Sequence, residues 1–280
     1  MSNQQPLQLG TQPKSIPSHG TPYGRGRGVT YDPNNPNPYM VSRGMIELFM
    51  QCPRCFWLAA RLKIKRPSGP PFKIDSAIDE LLKKEFDVHR AKNKAHPLME
   101  SYHIDAVPFA HDDLDKWRHN FTGVQYWHEA TNLFVTGAID DVWQYPNGEL
   151  IVVDYKATSK KDEVSIDADW QISYKRQMEV YQWLLRQNGF VVTNTSYFVY
   201  CNGKTDKEAF DAQMEFDIKL IPYEGKDDWV EPVLLRLKEC LDGDMPEIGT
   251  AAMGGPCDFC TYAKQRTEMT LKAIQKPKTA

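Results

Sequence analysis

No apolar run in this 280-residue chain approaches the roughly 18 residues that crossing a bilayer requires. The first residues also lack the apolar core of a secretion signal. These absences argue against a membrane-spanning or exported protein and make the cytoplasm the expected compartment. An excess of positive charge is missing too, since the formal net charge is −3. A surface binding nucleic acid all over would be basic, so any such contact has to come from local patches. Histidine ligand spacing is absent: His96, His103, His111, His119 and His128 stand in no metal-binding pattern. No helicase motif is present, so any unwinding would fall to a partner.

What is present is ordinary for a globular protein: 41% hydrophobic and 25% charged residues, enough for one large domain or two small ones. Six cysteines without a secretion signal argue against a disulfide framework and toward metal ligation for some of them. Cys52-Pro53-Arg54-Cys55 near the start and Cys257-Asp258-Phe259-Cys260 near the end make a four-thiolate set. Each pair can grip one edge of a metal, and spacing alone favours Zn²⁺. Cys201 and Cys240 are expected as core thiols.

The chain is organised around Gly137 to Lys156. Asn147-Gly148 predicts a two-residue turn between apolar arms, hence a β-hairpin. One arm carries Asp140-Asp141. The other, Leu150-Ile151-Val152-Val153, runs into Asp154-Tyr155-Lys156. Residues two apart in a strand share a face, so Asp154 and Lys156 point together and Tyr155 points away. Asp140 lies at a comparable distance from the turn, which sets it beside Asp154 at one sheet end. Two such carboxylates repel unless a cation sits between them, and a hard divalent ion such as Mg²⁺ suits the pair. The bland alternative is a solvated strand end with Lys156 as salt-bridge partner. The strongly apolar strand leading into the charges argues against it.

Around this hairpin the sequence predicts a disordered leader over residues 1–40, with a Gly-Arg run at 24–28 that serves as a solubilising segment or touches phosphates. A helix capped by Ser42 should run through Cys52 and Phe56 to Ala59. Arg61, Lys63, Lys65 and Arg66 follow, either complementing a helix dipole or forming a phosphate strip. A second helix from Ile74 to about Lys92 should bury Ile74, Ile78, Leu81, Leu82 and Phe86. Phe121 to Glu129 should open a three-strand antiparallel meander. A long helix from Asp169 to about Gln187 puts Gln177 and Tyr181, four apart, on one face and offers Lys175 and Arg176 to phosphates. Asn188-Gly189 ends it. Then come a strand over 190–200, another over 210–221, a helix over 229–241, and a C-terminal tail over 266–280.

Gly137-x-Ile139-Asp140, then Val153-Asp154-Tyr155-Lys156, then Gln177-x-x-x-Tyr181, resembles the PD-(D/E)XK nuclease superfamily. More narrowly it resembles the RecB-type branch, including CRISPR-associated exonucleases that carry an iron–sulfur cluster. The motifs span roughly residues 42 to 262. The usual Glu-x-Lys stands here as Asp154-x-Lys156. A histidine common in the first helix has Asp79 at the like position, with Glu80 or Glu85 as alternatives.

The resemblance implies an α/β restriction-endonuclease-like core, α-β-β-β-α-β, over residues 41–265. It implies Mg²⁺ or Mn²⁺ on Asp79, Asp140 and Asp154, with Lys156 acting on the attacking water or the transition state and Gln177 and Tyr181 orienting substrate. It also implies a [4Fe-4S] cluster on Cys52, Cys55, Cys257 and Cys260, where spacing alone gave zinc. The expected activity is metal-dependent hydrolysis of DNA, exonuclease-like, in repair, recombination or CRISPR adaptation. Single strands or ends are the expected substrate, and a helicase or recombination protein the expected partner. Two rivals are a binding protein on the same fold that has lost cleavage, and a transferase gripping a nucleotide diphosphate with Asp140-Asp141.

Overall fold

The computed structural model describes residues 29–69, 73–249 and 255–275. Ser42 ends β1 (Tyr39–Ser42) and caps α1 (Arg43–Gln51), its extended backbone letting the hydroxyl accept from the Met45 N–H. The expected single helix is in fact two. Cys52 is extended (φ −159°, ψ 105°) and α2 (Pro53–Leu62) restarts at Pro53. Proline has no N–H to give and clashes with the preceding turn, so it is accepted at a helix start and not inside one. The remaining elements are α3 (Lys73–Arg90), α4 (Pro97–Ser101), β2 (Val107–Pro108), α5 (Leu114–Arg118), β3 (Val124–His128), β4 (Leu133–Gly137), β5 (Asp141–Gln144), β6 (Leu150–Thr158), α6 (Ile172–Gln187), β7 (Thr195–Gly203), β8 (Phe216–Glu224), α7 (Val230–Asp242) and α8 (Asp258–Gln275).

A five-stranded sheet in the order β2-β5-β6-β7-β8 stands beside a three-stranded sheet in the order β1-β4-β3. The expected meander is therefore divided: the chain breaks between β4 and β5, and each half joins a different sheet. The β5–β6 hairpin forms in the expected register, with Asp141 opposite Val153. Its loop is longer than the predicted two residues. Tyr145 pairs with Glu149, and Gly148 (φ +90°) takes the left-handed position that closes a three-residue connection. α6 then crosses over so that β7 lies parallel to β6.

Alternation along β6 sorts the molecule into layers. Leu150 and Val152 pack with Met178, Tyr181 and Leu184 of α6. Ile151, Val153 and Tyr155 pack with Leu82 and Phe86 of α3. α6 approaches β4 closely: a Cβ at Gly137 would lie 2.7 Å from the Tyr181 ring. The mixed α/β architecture with flanking helices fits the restriction-endonuclease-like expectation.

Several boundaries differ from the sequence reading. Tyr31 is buried and donates from its hydroxyl to Asp242 at 2.5 Å, and Tyr39 opens β1, so the packed chain begins inside the stretch expected as a leader. Residues 1–28 lie outside the described residues. Residues 266–275, expected as a tail, continue α8. On α3, Ile74 and Leu81 are exposed, because the stripe facing the sheet is Ile78, Leu82 and Phe86, spaced by four. Phe190 and Val191 stay outside β7, and Val192 makes one bridge to Leu150. Phe121 precedes β3 and Phe210 precedes β8, each exposed in a polar loop. Cys201 is buried as expected, whereas Cys240 is only half-buried. Among the described residues no helix is long and apolar enough to cross a membrane.

One ion cluster ties α3 and α5 to the sheet. Asp141 is fully buried. It accepts from the Tyr155 hydroxyl at 2.8 Å, from Arg118 at 2.8 Å, and from Arg90. Both arginines also hold Asp87, and Arg118 Nε donates to the Asp140 carbonyl at 3.1 Å. Removing the central carboxylate leaves two nearly buried guanidinium groups to share one half-exposed counter-charge, Asp87. Asp141→Ala should therefore cost about 3–5 kcal/mol in urea unfolding; a loss under about 1 kcal/mol would show the cluster to be incidental.

Candidate active site

The hairpin places Asp154 on the α6 side of the sheet with 0% of its surface exposed. Its Oδ1 accepts from Gln177 Nε2 at 2.6 Å, and Gln177 Nε2 also donates to the Tyr181 hydroxyl at 3.1 Å. The ammonium of Lys156, two residues along the strand, is ion-paired with Asp154 Oδ2. Burial pushes the Asp154 carboxyl up to about 7; Lys156 opposes the shift and nearby Asp140 adds to it.

Asp140 stands beside Asp154 as the register requires, its Oδ2 accepting from the Tyr155 N–H at 3.0 Å. From α3, Lys83 reaches both Asp79 (2.7 Å) and Asp140 (3.5 Å). Asp79 is raised from the usual carboxylate range, first by burial and then by Asp140. Of the acidic residues weighed on this helix, Asp79 is the one brought to the site. Glu80 pairs with Lys84 at the surface, and Glu85 meets His96 at 2.9 Å. Lys83, which carries no sequence signal beyond standing four residues from Asp79, is 19% exposed in its side chain and lies inside the cluster.

These residues fit a hard divalent cation. Asp79 Oδ1 is buried and, among the described residues, accepts no hydrogen bond, while the equally buried Asp154 Oδ2 is met by the Lys156 ammonium. Neighbouring carboxylates with free lone pairs and raised pKa gain most from a divalent ion. The neighbouring acid, Asp141, takes no part. Consecutive residues point to opposite faces, so it is spent in the arginine cluster. The acidic-pair reading of Asp140-Asp141 therefore fails.

The second cluster joins the chain ends. The sulfurs of Cys52, Cys55, Cys257 and Cys260 all lie within 4.8 Å of one another. Cys52 caps α2 by accepting from the Cys55 N–H at 3.4 Å. The backbone of residue 249 passes so near that a Cβ on Gly249 would lie 2.6 Å from Cys52 Cα, and its carbonyl accepts from the Cys257 N–H at 2.7 Å. Although burial opposes it, donation from backbone N–H groups lowers the Cys52 thiol to about 7, while burial and its thiol neighbours push Cys260 up. Four converging, buried sulfurs fit a thiolate-bound metal or cluster.

The expected phosphate contacts divide. Lys63 and Lys65 are exposed after α2. Arg66 is not on that strip: it donates to Cys257 Sγ at 3.4 Å and to Gln51 at 2.7 Å and covers the Phe259 ring. Gln51 donates to Glu47 at 3.1 Å, and Arg176 pairs with Glu47 at 3.3 Å. Arg176 is thus turned toward α1, and Lys175 lies 3.5 Å from Asp167. Sequence reasoning did not single out Glu47 and Gln51, which offered no signal beyond polar positions on an amphipathic helix.

A family model described as the PD-(D/E)XK nuclease superfamily matches residues 71–265. Among solved structures, the crystal structure of SSO0001 is similar at 14% identity, covering 74% of this chain and 78% of that chain with a TM-score of 0.37. No curated protein matches.

The charge balance around Asp154 yields a sign. A carboxyl raised by folding favours the native state most below its unfolded pKa, near 4, and that advantage is lost as pH rises through about 7. A divalent cation reverses the loss by binding the ionised form. Mn²⁺ should raise the melting temperature more at pH 8 than at pH 5.5, and Asp154→Asn should abolish most of the rise. An equal rise in the variant would place the ion elsewhere.

Proposed function

Because the chain belongs to the PD-(D/E)XK nuclease superfamily, we propose that it hydrolyses DNA phosphodiester bonds with Mg²⁺ or Mn²⁺, as an exonuclease-like enzyme of the RecB-type branch. The observation that carries this reading is the buried Asp154 carboxylate, bound by Lys156 and Gln177 and flanked by Asp140. It brings together the residues of all three motifs.

Asp140 and Asp154 would hold the ion, with Asp79 as a third ligand and the Tyr155 carbonyl as a further oxygen. A bound Mg²⁺ or Mn²⁺ supplies Lewis acidity toward a phosphate oxygen. The chain's own residues do the rest. Gln177 keeps Asp154 Oδ1 engaged, so Oδ2, which Lys156 meets here, is the oxygen that would bind the ion. Tyr181 accepts from the same amide and fixes its orientation. Lys156, beside Asp154, orients the attacking water and offsets the charge that gathers on the phosphate in the transition state. Lys63, Lys65 and Lys175 are the phosphate-backbone contacts. Arg176 joins them only by leaving Glu47, and Arg66 is reassigned to the cysteine site.

The four thiolates hold a [4Fe-4S] cluster in this proposal, with Zn²⁺ as the alternative that their spacing favours. Either group staples α2 to α8 beside the nuclease core and adds its binding energy to folding.

Lys156→Ala tests the assignment. Its circular dichroism should stay near wild type while metal-dependent cleavage of end-labelled DNA falls at least about 100-fold. Cleavage at the wild-type rate, from protein free of contaminating nuclease, would remove Lys156 from the chemistry. DNA binding without cleavage by the wild type under any metal would favour a binding protein on the same fold.

A further inference from the structure

Between β6 and α6 the chain runs through a short 3₁₀ turn, Asp169–Gln171. Gln171 is fully buried, donating to the Ser165 carbonyl at 2.8 Å and accepting from the Ala168 N–H at 3.0 Å. This anchor holds the preceding residue, Trp170, outward with 44% of its surface exposed. The indole is not a stray surface aromatic. Its ring meets Tyr174 edge-on at 5.4 Å, and Tyr174 in turn lies under the Lys156 ammonium at 4.6 Å. On the far side Lys160 stands 5.8 Å from the indole centroid, and its backbone is pinned by a pair of hydrogen bonds to Asn202. A continuous path of rings and ammonium groups thus leads outward from Asp154.

We propose that Trp170 is a stacking platform for an unpaired base of single-stranded DNA, with Lys160 meeting the adjoining phosphate. The proposal rests on the nuclease reading and refines its substrate. A base inside a duplex has both faces covered by its neighbours, so an aromatic side chain can take up only a base that has left the stack. A platform two ring contacts from Lys156 therefore selects strands that are already single near the scissile phosphate. Asp167 and Asp169 border the turn and keep it from being a general phosphate patch. Stacking, more than charge, is what the position offers.

The test is binding of the full-length chain, without added divalent cation so that hydrolysis does not run, to a labelled oligodeoxyadenylate of ~12 nucleotides. An abasic strand of equal length and charge serves as comparison. Wild type should prefer the base-bearing strand. Trp170→Ala should weaken that strand by roughly 5- to 150-fold and leave the abasic strand unchanged, and Trp170→Phe should recover part of the loss. Equal affinity of wild type for the two strands, or a Trp170→Ala variant that keeps the wild-type preference, overturns the platform and leaves the nuclease reading standing. Failure of wild type to bind either strand also overturns the platform, while the nuclease reading rests on the Lys156→Ala cleavage test.

Discussion

The buried carboxylate of Asp141, shared between Arg90 and Arg118, is the constraint on which the site depends. Asp79 and Lys83 lie on α3, and nothing in that helix alone sets its distance from the hairpin. Arg90 and Asp87 lie on α3 as well, and they join Asp141, Tyr155 and Arg118 in one cluster. Satisfying all of those charges at once fixes where α3 rests. Asp79 and Lys83 then lie over Asp140. The two adjacent aspartates thus part by strand alternation: Asp141 secures the scaffold, and Asp140 lies on the side of Asp154 and Lys156. β6 repeats the division. Tyr155 anchors on one face, while Asp154 and Lys156 stand on the other.

The two sides of that sheet are unlike in electrostatic terms. Around Asp141, each oxygen has donors and the charge is compensated. Around Asp154, burial and a second carboxylate leave the ionised form disfavoured despite Lys156. Such an imbalance is the kind found where a ligand is bound. α1 adds a physical bridge between this side and the cysteine cluster. Arg66 reaches from Cys257 to Gln51, Gln51 to Glu47, and Glu47 to Arg176, the residue before Gln177.

Much of the hairpin and its flanking helix was legible because period and turn chemistry are local. Alternation put Asp154 and Lys156 together and sent Tyr155 away. Spacing by four put Gln177 beside Tyr181. Ser42 and Asn188-Gly189 read correctly as helix ends. The helix through Cys52 was misread because the apolar pattern outweighed Pro53, although proline chemistry predicts the restart. The break between β4 and β5 was hidden because the apolar pattern runs on while the backbone changes sheets. Arg66 was the larger error, and Lys83 gave no signal. A basic residue next to acidic ones on an amphipathic helix reads as surface, and only the tertiary approach of another element turns it inward. Trp170 carried no periodic signal, since its position is set by the buried Gln171 beside it.

The most direct test of the divalent site is crystallography with Mn²⁺, which is visible by its anomalous scattering. An anomalous peak is expected about 2.1 Å from carboxylate oxygens of Asp140 and Asp154, with Asp79 in the same shell. A structure grown in saturating Mn²⁺ with no peak between these carboxylates, and with Lys83 and Lys156 still filling the space, would contradict it.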